Sequence, residues 1–495
     1  MGIIEILHSV AGYLPEIKNP VKPLGTKDRL IWTGIALVLY FMMYETTAFG
    51  VQHLPSGIDF LQTITASRIG SLLTTGIGPI VLASIFLQLF VGAGLINLDM
   101  KDKTQRAKFL EIQKILAIIL ALVEGIIFVV LTKIVPVATI PGIDPSLVLF
   151  AVVLQVTLGS VFVLFLDELV TKYGLGSGIS LFIAAGVSLS VFLGLVQLIL
   201  GPGGFVAIMS EGGAEALPNG LLELLPFVFT IIVFLVVVYA ESLKVEIPIA
   251  FERVRGMVPK LPLKFFYVSN IPVIFASALI INMQLFSGGL ISSQYWDGNN
   301  AKPAFTALSE THKYSFERDG ILPLIGYTDS QGRLRDGLLY FFTPLSAAGR
   351  TTIEHYSFIF NDVTPILGIP EWVHAILYVI MLSLASVVFG LFWVETSNMD
   401  AKSVAGQLSD SGIQIPGFRR DPRMLETILN KHIYPLTIMG SISVGLLAGL
   451  ADLTGALGTG TGILLTVGIL HKMYEQMEEL KTFDMYPSFN KFFGD

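Results

Sequence analysis

The sequence contains no cysteine, which removes disulfides, thiolate metal ligation and thiol catalysis together and leaves the redox compartment unreadable. Charge is scarce as well: Asp, Glu, Lys and Arg make up 14% of the 495 residues, whereas a soluble domain carries roughly 25%. So little polar surface excludes the reading as about three soluble domains that a ~150-residue prior would otherwise suggest. A basic excess is also missing. The net charge of -7 and pI near 5.6 argue against general nucleic-acid binding, although local basic loops can still meet phosphate. The start lacks the pattern of a cleavable signal, because residues 1–7 are apolar without a basic lead and Lys18, Lys22, Lys27 and Arg29 come afterwards. The N-terminus is expected to be retained and to face the cytoplasm. What is abundant is apolar: 53% hydrophobic residues and a mean hydropathy of +0.72.

A membrane-spanning helix needs about 20 mostly apolar residues. Ten candidates appear, at 31–49, 79–98, 112–135, 147–167, 179–201, 221–240, 268–286, 373–394, 433–452 and 458–471, the last short and Gly-rich at its start. The expected fold class is therefore an all-α polytopic membrane protein. Alternate loops differ sharply in basic residues: one side collects 23 Lys and Arg, while the short loops opposite hold only Arg68 and Lys133. The positive-inside bias then places both termini in the cytoplasm. The long segment 287–370 mixes charges, aromatics and turns and reads as an external insertion, with the run at 338–345 too short to cross but able to reach the interface.

Internal similarity links spans five apart. Gly78-Pro79-Ile80-Val81-Leu82-Ala83 opens the second span and Ile271-Pro272-Val273-Ile274-Phe275-Ala276 lies in the seventh. The fifth opens after Gly174-Leu175-Gly176-Ser177-Gly178, the tenth after Leu457-Gly458-Thr459-Gly460-Thr461-Gly462. Because five is odd, two halves, 1–202 and 203–495, would have opposite topology, the arrangement that puts a functional pathway at their interface. Segment 57–75 is too polar for lipid yet amphipathic enough for a short helix, and Gly76-Ile77-Gly78-Pro79 should break the chain before the second span. Irregular backbone at membrane depth is tolerated only when buried in protein or lining an aqueous cavity, so the segment is expected to be re-entrant.

Catalytic patterns are incomplete. Residues 455–461 have the glycine spacing of a phosphate loop but lack its lysine. Ser177 and His374 lack the arrangement of a hydrolase, and the seven histidines show no metal-ligand spacing, so neither enzyme activity nor a cofactor is expected. An ion-coupled secondary transporter is the competing reading, since inverted halves suit it. Glu124, near the middle of the third span, is the one ionisable residue deep in the apolar region, with Asn282 of the seventh span as its candidate partner.

Several strings are specific. They are Gln62-Thr63-Ile64-Thr65-Ala66-Ser67-Arg68-Ile69-Gly70 leading into Gly76-Ile77-Gly78-Pro79-Ile80-Val81; Pro262-Leu263-Lys264-Phe265 before Tyr267-Val268-Ser269-Asn270-Ile271-Pro272; Phe392-Trp393-Val394-Glu395-Thr396; Gly455-Ala456-Leu457-Gly458; and Met473-Tyr474-Glu475-Gln476. In these the chain resembles SecY, the pore subunit of the Sec protein translocon in its archaeal and eukaryotic form, over nearly its whole length and most weakly in 287–370.

The resemblance implies a protein-conducting channel for unfolded polypeptide, with a clamshell of two halves around an apolar ring. By motif match the ring is Ile77, Val81, Ile179, Ile183, Ile274 and Leu465. Ile77 and Val81, like Ile179 and Ile183, are four apart and so share a helix face. Such an aperture offers ions no substitute for their hydration shell and gates by dewetting. The resemblance makes segment 57–75 a plug carrying Phe60, Leu61, Ile64, Arg68, Ile69 and Leu72. It also implies a lateral gate for releasing membrane segments into lipid, with Glu124, Asn282 and Leu82 at its polar positions; Leu82 stands where threonine is common. Arg253, Arg255 and Arg419 in basic loops are the implied docking residues for a ribosome or another motor, through guanidinium contacts to phosphate or carboxylate. Small SecE-type and Sec-beta-type subunits are the further partners implied, and an archaeal plasma membrane the location.

Overall fold

A computed structural model describes residues 14–21, 24–51, 62, 65–92, 95–96, 102–131, 135, 137–138, 140–213, 216–248, 250–251, 260–268, 271–293, 322–328, 334–345, 350–365, 367–410, 413–414 and 422–485. Among them are ten long helices: α1 Thr26–Glu45, α2 Gly78–Gly92, α3 Lys103–Ile126, α4 Pro145–Tyr173, α5 Gly178–Leu200, α6 Leu225–Ser242, α7 Ile271–Ser293, α8 Glu371–Thr396, α9 Pro422–Leu453 and α10 Gly460–Met485. Each overlaps one expected span.

Their ends differ from the apolar runs for local reasons. α1 begins and ends earlier than the run at 31–49, leaving Thr46 extended with its N–H bonded to the Met42 carbonyl. α3 starts nine residues ahead of its apolar run because Asp102 caps it, accepting from the Thr104 N–H at 3.1 Å. Asp144 caps α4 in the same way, with Pro145 in the first turn where its missing N–H costs nothing. α9 and α10 run on beyond the apolar core as polar extensions, from Pro422 and to Met485. Apolar periodicity marks where lipid ends, whereas hydrogen bonding and packing mark where the helix ends.

By length and composition alone, six described helical stretches can cross a membrane: 104–130, 145–173, 178–211, 216–242, 371–409 and 423–453. Gly78–Val91 of α2 and Ile271–Ile280 of α7 are shorter apolar stretches, and most of their side chains are buried inside the protein. α6 is the opposite case, apolar all round and largely exposed, as a helix facing lipid should be.

Packing puts α2 and α7 at the centre. α2 lies against α3, α7 and α8, and α7 meets α8 and the π-helical turn Ile127–Leu131 that ends α3. α5 packs on α10, α4 on α1, and α8 on α9. One large apolar core runs through α1, α2, α4, α5, α7, α8 and α10. On the side with the basic loops, residues 15–18 strap the ends of α3 and α4: Glu168 accepts from Lys114 at 3.0 Å and Lys172 at 2.9 Å, and the Ile17 N–H bonds it at 3.3 Å. Lys172 also holds the exposed Glu16 carboxyl below its usual pKa through a hydrogen bond.

Two small ladders organise the loops after α6 and α8. Strand Lys244–Pro248 pairs antiparallel with Lys260–Lys264, and Ala250–Phe251 pairs with Ile413–Gln414. The segment between α7 and α8 contributes a short helix, Thr352–Asn361, begun by a capping box of Thr351 and Glu354. This helix rests on the turn between α9 and α10, where the His355 Nε2–H donates to the Leu453 carbonyl at 3.1 Å and Tyr356 to that of Thr454 at 3.2 Å. Burial lowers the pKa of the His355 imidazole. In the run 338–345, too short to cross, Tyr340 and Phe341 are buried.

Candidate functional site

The six expected ring residues do not scatter toward lipid. Ile77, Ile183 and Leu465 are fully buried, Val81 nearly so, and Ile179 and Ile274 are half-buried against the same core. Four helices supply them: α5 and α10 carry Ile179, Ile183 and Leu465, α7 carries Ile274, and Val81 follows Ile77 at the start of α2.

Sequence reasoning missed what fixes the starts of α5 and α10. α5 begins at Gly178 against α4, where Asp167 Oδ1 accepts from the backbone N–H of Ile179 at 2.8 Å. A Cβ at Gly178 would lie 2.5 Å from the Asp167 Cα, so only glycine permits this approach. The start of α10 repeats the device. Asp452 at the end of α9 accepts from the Gly460 N–H at 2.7 Å, the Thr461 hydroxyl at 3.0 Å and the Tyr378 hydroxyl of α8 at 2.8 Å. A Cβ at Gly460 would lie 2.2 Å from that of Ala451. A buried carboxylate at a helix N-terminus meets orphan N–H groups and the positive end of the dipole. The signal was present: an aspartate eight to twelve residues before a glycine-rich helix start in both cases.

Within the segment expected to be re-entrant, Gln62 is helical and residues 65–77 form successive turns, with Ala66 at φ 46° and Gly76 at φ 53°. Phe60, Leu61 and Ile64 lie outside the described residues. Ile69 is buried against α4 and the π-helical turn, and Leu72 is half-buried. The Leu72 carbonyl fits so closely over Gly159 of α4 that a Cβ there would come within 1.9 Å. Arg68 remains at the surface, paired with Glu45 and 5.7 Å from the Tyr44 ring. The backbone joins α1 through Ala48 N–H to the Gly70 carbonyl at 2.9 Å and Leu72 N–H to that of Thr46 at 3.0 Å.

Leu82, Glu124 and Asn282 are all buried, on α2, α3 and α7, and α2 packs against both of the other helices. The expected partnership of Glu124 with Asn282 is not formed: the Asn282 amide donates to the Ala278 carbonyl of its own helix at 2.9 Å. Glu124 Oε1 has no hydrogen-bond partner, and its other oxygen sits over the start of α2, 3.2 Å from where a Cβ on Gly78 would be. A buried carboxylate oxygen without a partner is costly.

Arg253, Arg255 and Arg419 lie outside the described residues. Their roots are described, and the pairing Ala250↔Gln414 and Phe251↔Ile413 brings the two loops that carry them together. Nearby, the Tyr267 hydroxyl donates to the Met399 carbonyl at 2.7 Å, and burial pushes its pKa up to about 12, which keeps the donor protonated.

His374 has a structural task. It is fully buried, its Nδ1 3.0 Å from Glu371 Oε2 and its Nε2 3.0 Å from the Thr343 carbonyl, while Tyr340 donates to the same Glu371 at 3.0 Å. These contacts clamp residues 340–343 to the first turn of α8. Among the described residues no group of His, Asp and Glu could hold a metal ion.

Among the described residues, ten long helices packed around one apolar core that includes Ile77, Val81, Ile183 and Leu465 define a polytopic membrane protein. The SecY family model matches residues 71–474, and the chain belongs to the SecY family. It is 42% identical to the protein translocase subunit SecY of Methanocaldococcus jannaschii over 97% of both chains. A solved protein-conducting channel superposes with a TM-score of 0.76 at 40% identity, covering 98% of this chain and 99% of the other. Sec61 in the canine ribosome-channel complex from the endoplasmic reticulum gives 0.73 at 40% identity, with 98% and 99% covered. These relatives support a channel and not an ion-coupled transporter.

Proposed function

We infer that the chain is a protein-conducting channel that passes unfolded polypeptide across the membrane and releases membrane segments sideways into lipid. The observation that carries this reading is the burial of Ile77, Val81, Ile183 and Leu465, with Ile179 and Ile274 packed on them, in one apolar core shared by α2, α5, α7 and α10. An extended peptide can part such side chains, whereas ions gain nothing from them. The ring, the plug at 57–75 and a gate through Leu82, Glu124 and Asn282 belong to this reading. The matched Asp167–Gly178 and Asp452–Gly460 contacts support division into inverted halves at about residue 202. Because the chain contains no cysteine, Val81→Cys and Ile274→Cys each give a single thiol. A stalled nascent chain is expected to cross-link to both positions, and reaction with neither would sink the proposal.

The ribosome is the partner supported by the relative in the ribosome-channel complex, with SecE-type and Sec-beta-type subunits beside the lipid-facing helices. The protein is a multi-pass membrane protein; its archaeal relatives support the plasma membrane of an archaeon as its place, and the basic loops support cytoplasmic termini. Arg253, Arg255 and Arg419, carried by two loops that share a backbone ladder, would present guanidinium groups to ribosomal phosphate or an acidic motor surface. Charge reversal at Arg253 and Arg419 is expected to weaken ribosome binding by reconstituted channels at least tenfold and to flatten its salt dependence. Unchanged co-sedimentation would dismiss them as docking groups.

A further inference from the structure

We propose that Tyr40 is the latch of the external seal: its hydroxyl holds the Ala66 carbonyl and thereby sets the closed position of the re-entrant segment, a positioning role that rests on the plug reading above. Tyr40 is fully buried in α1, its ring stacked on Phe182 of α5 at 4.8 Å and 12°. The hydroxyl donates to the Ala66 carbonyl at 2.8 Å. α5 bears on the same point, since a Cβ at Gly186 would lie 3.5 Å from the Tyr40 oxygen and 3.7 Å from the Ala66 Cα.

Ala66 is the place where a latch matters. It is a non-glycine residue at φ 46°, a conformation that persists only where its surroundings over-determine it. The residue before it, Thr65, accepts the backbone N–H of ring residue Ile77 at 2.8 Å and pairs its hydroxyl with that of Ser67 at 2.6 Å. Residues 68–72, on the other side, are tied to the far end of α1 and to α4. The left-handed turn at Ala66 therefore joins a root anchored at 68–72 to the chain that precedes it, and one phenol holds that turn against the bundle.

Tyr40→Phe keeps the ring and its stack on Phe182 and removes only the donor. The buried Ala66 carbonyl then loses its partner in the closed state, where a hydrogen bond of this kind is worth about fivefold in equilibrium. In planar bilayers the resting conductance of reconstituted Tyr40→Phe channels is expected to rise about fivefold while signal-driven translocation continues. Ser67, 1% exposed, provides a direct probe in a chain that has no other thiol. Labelling of Ser67→Cys by a membrane-impermeant maleimide should quicken by a similar factor when Tyr40→Phe is added. Unchanged leak and unchanged labelling would overturn the latch. Deleting residues 60–72 separates it from the plug reading. If deletion raises the leak and Tyr40→Phe adds nothing in that background, the residue acts through the segment. If Tyr40→Phe still adds leak there, it acts through general packing and the latch is wrong. If deletion leaves the channel tight, the plug reading falls and the latch with it.

Discussion

Replacing Asp452 by alanine is expected to destabilise the second half of the protein by on the order of 4 kcal/mol and to open a resting leak. The carboxylate is buried and meets the Gly460 N–H, the Thr461 hydroxyl and the Tyr378 hydroxyl, with the Thr461 N–H at 3.4 Å. Alanine leaves those donors buried without an acceptor, at about 1 to 3 kcal/mol each, partly relieved where a hydroxyl can turn to another partner. Three helices separate at that point, because Tyr378 belongs to α8, Asp452 to α9 and Gly460 to α10. Leu465 lies one turn into α10, so the ring should lose its register along with the fold. Asp452→Asn retains an oxygen for the Gly460 N–H and should recover most of the loss, and Tyr378→Phe should cost only about 1 kcal/mol. Thermal unfolding in detergent, with conductance in parallel, checks the series. An alanine variant as stable as the parent would show that the network holds nothing.

Replacing Ile183 by asparagine is expected to raise resting ion conductance on the order of a hundredfold. Ile183 is fully buried between α5 and its neighbours, at the waist where the expected ring residues share one core. The substitution forfeits roughly 1.5 to 3 kcal/mol of apolar burial. It also places an amide where a polar group without partners costs a further ~1 to 3 kcal/mol, a penalty that entering water relieves. Both effects favour the wet state, so a dewetted barrier becomes a hydrated one. Ile183→Val, with one methylene less, should change conductance only slightly. Single-channel recording distinguishes the outcomes; if asparagine conducts no more than isoleucine, the constriction lies elsewhere.

The breaks and starts of the central helices were legible because their signals are local. Ile77 and Val81 share a face by spacing, Gly76 and Pro79 announce the break before α2, and repeated glycines announce the starts of α5 and α10. The seam at Glu124 was half legible. The sequence marks a lone acid among apolar residues, but whether Asn282 reaches it depends on the rotation of α3 against α7, and Asn282 turned to its own helix instead. Segment 57–75 was legible as an oddity, whereas the course of 65–77 depends on partners distant in sequence: besides local bonds such as the Ser71 N–H to the Arg68 carbonyl, it is bonded to Thr46 and Ala48, just past α1, and to Tyr40 within it.

Composition and periodicity alone determined that this is a polytopic helical membrane protein, with its spans, its basic side and its sites of broken helix, because lipid selects directly for apolar length and against charge. The polar contacts between distant segments were decided only by the tertiary structure. Asp452 meets Tyr378 across 74 residues and Tyr40 meets Ala66 across 26. Hydrogen bonds need partners within about 3 Å at a restricted angle, and that condition is set by how helices pack, not by the order of residues along any one of them.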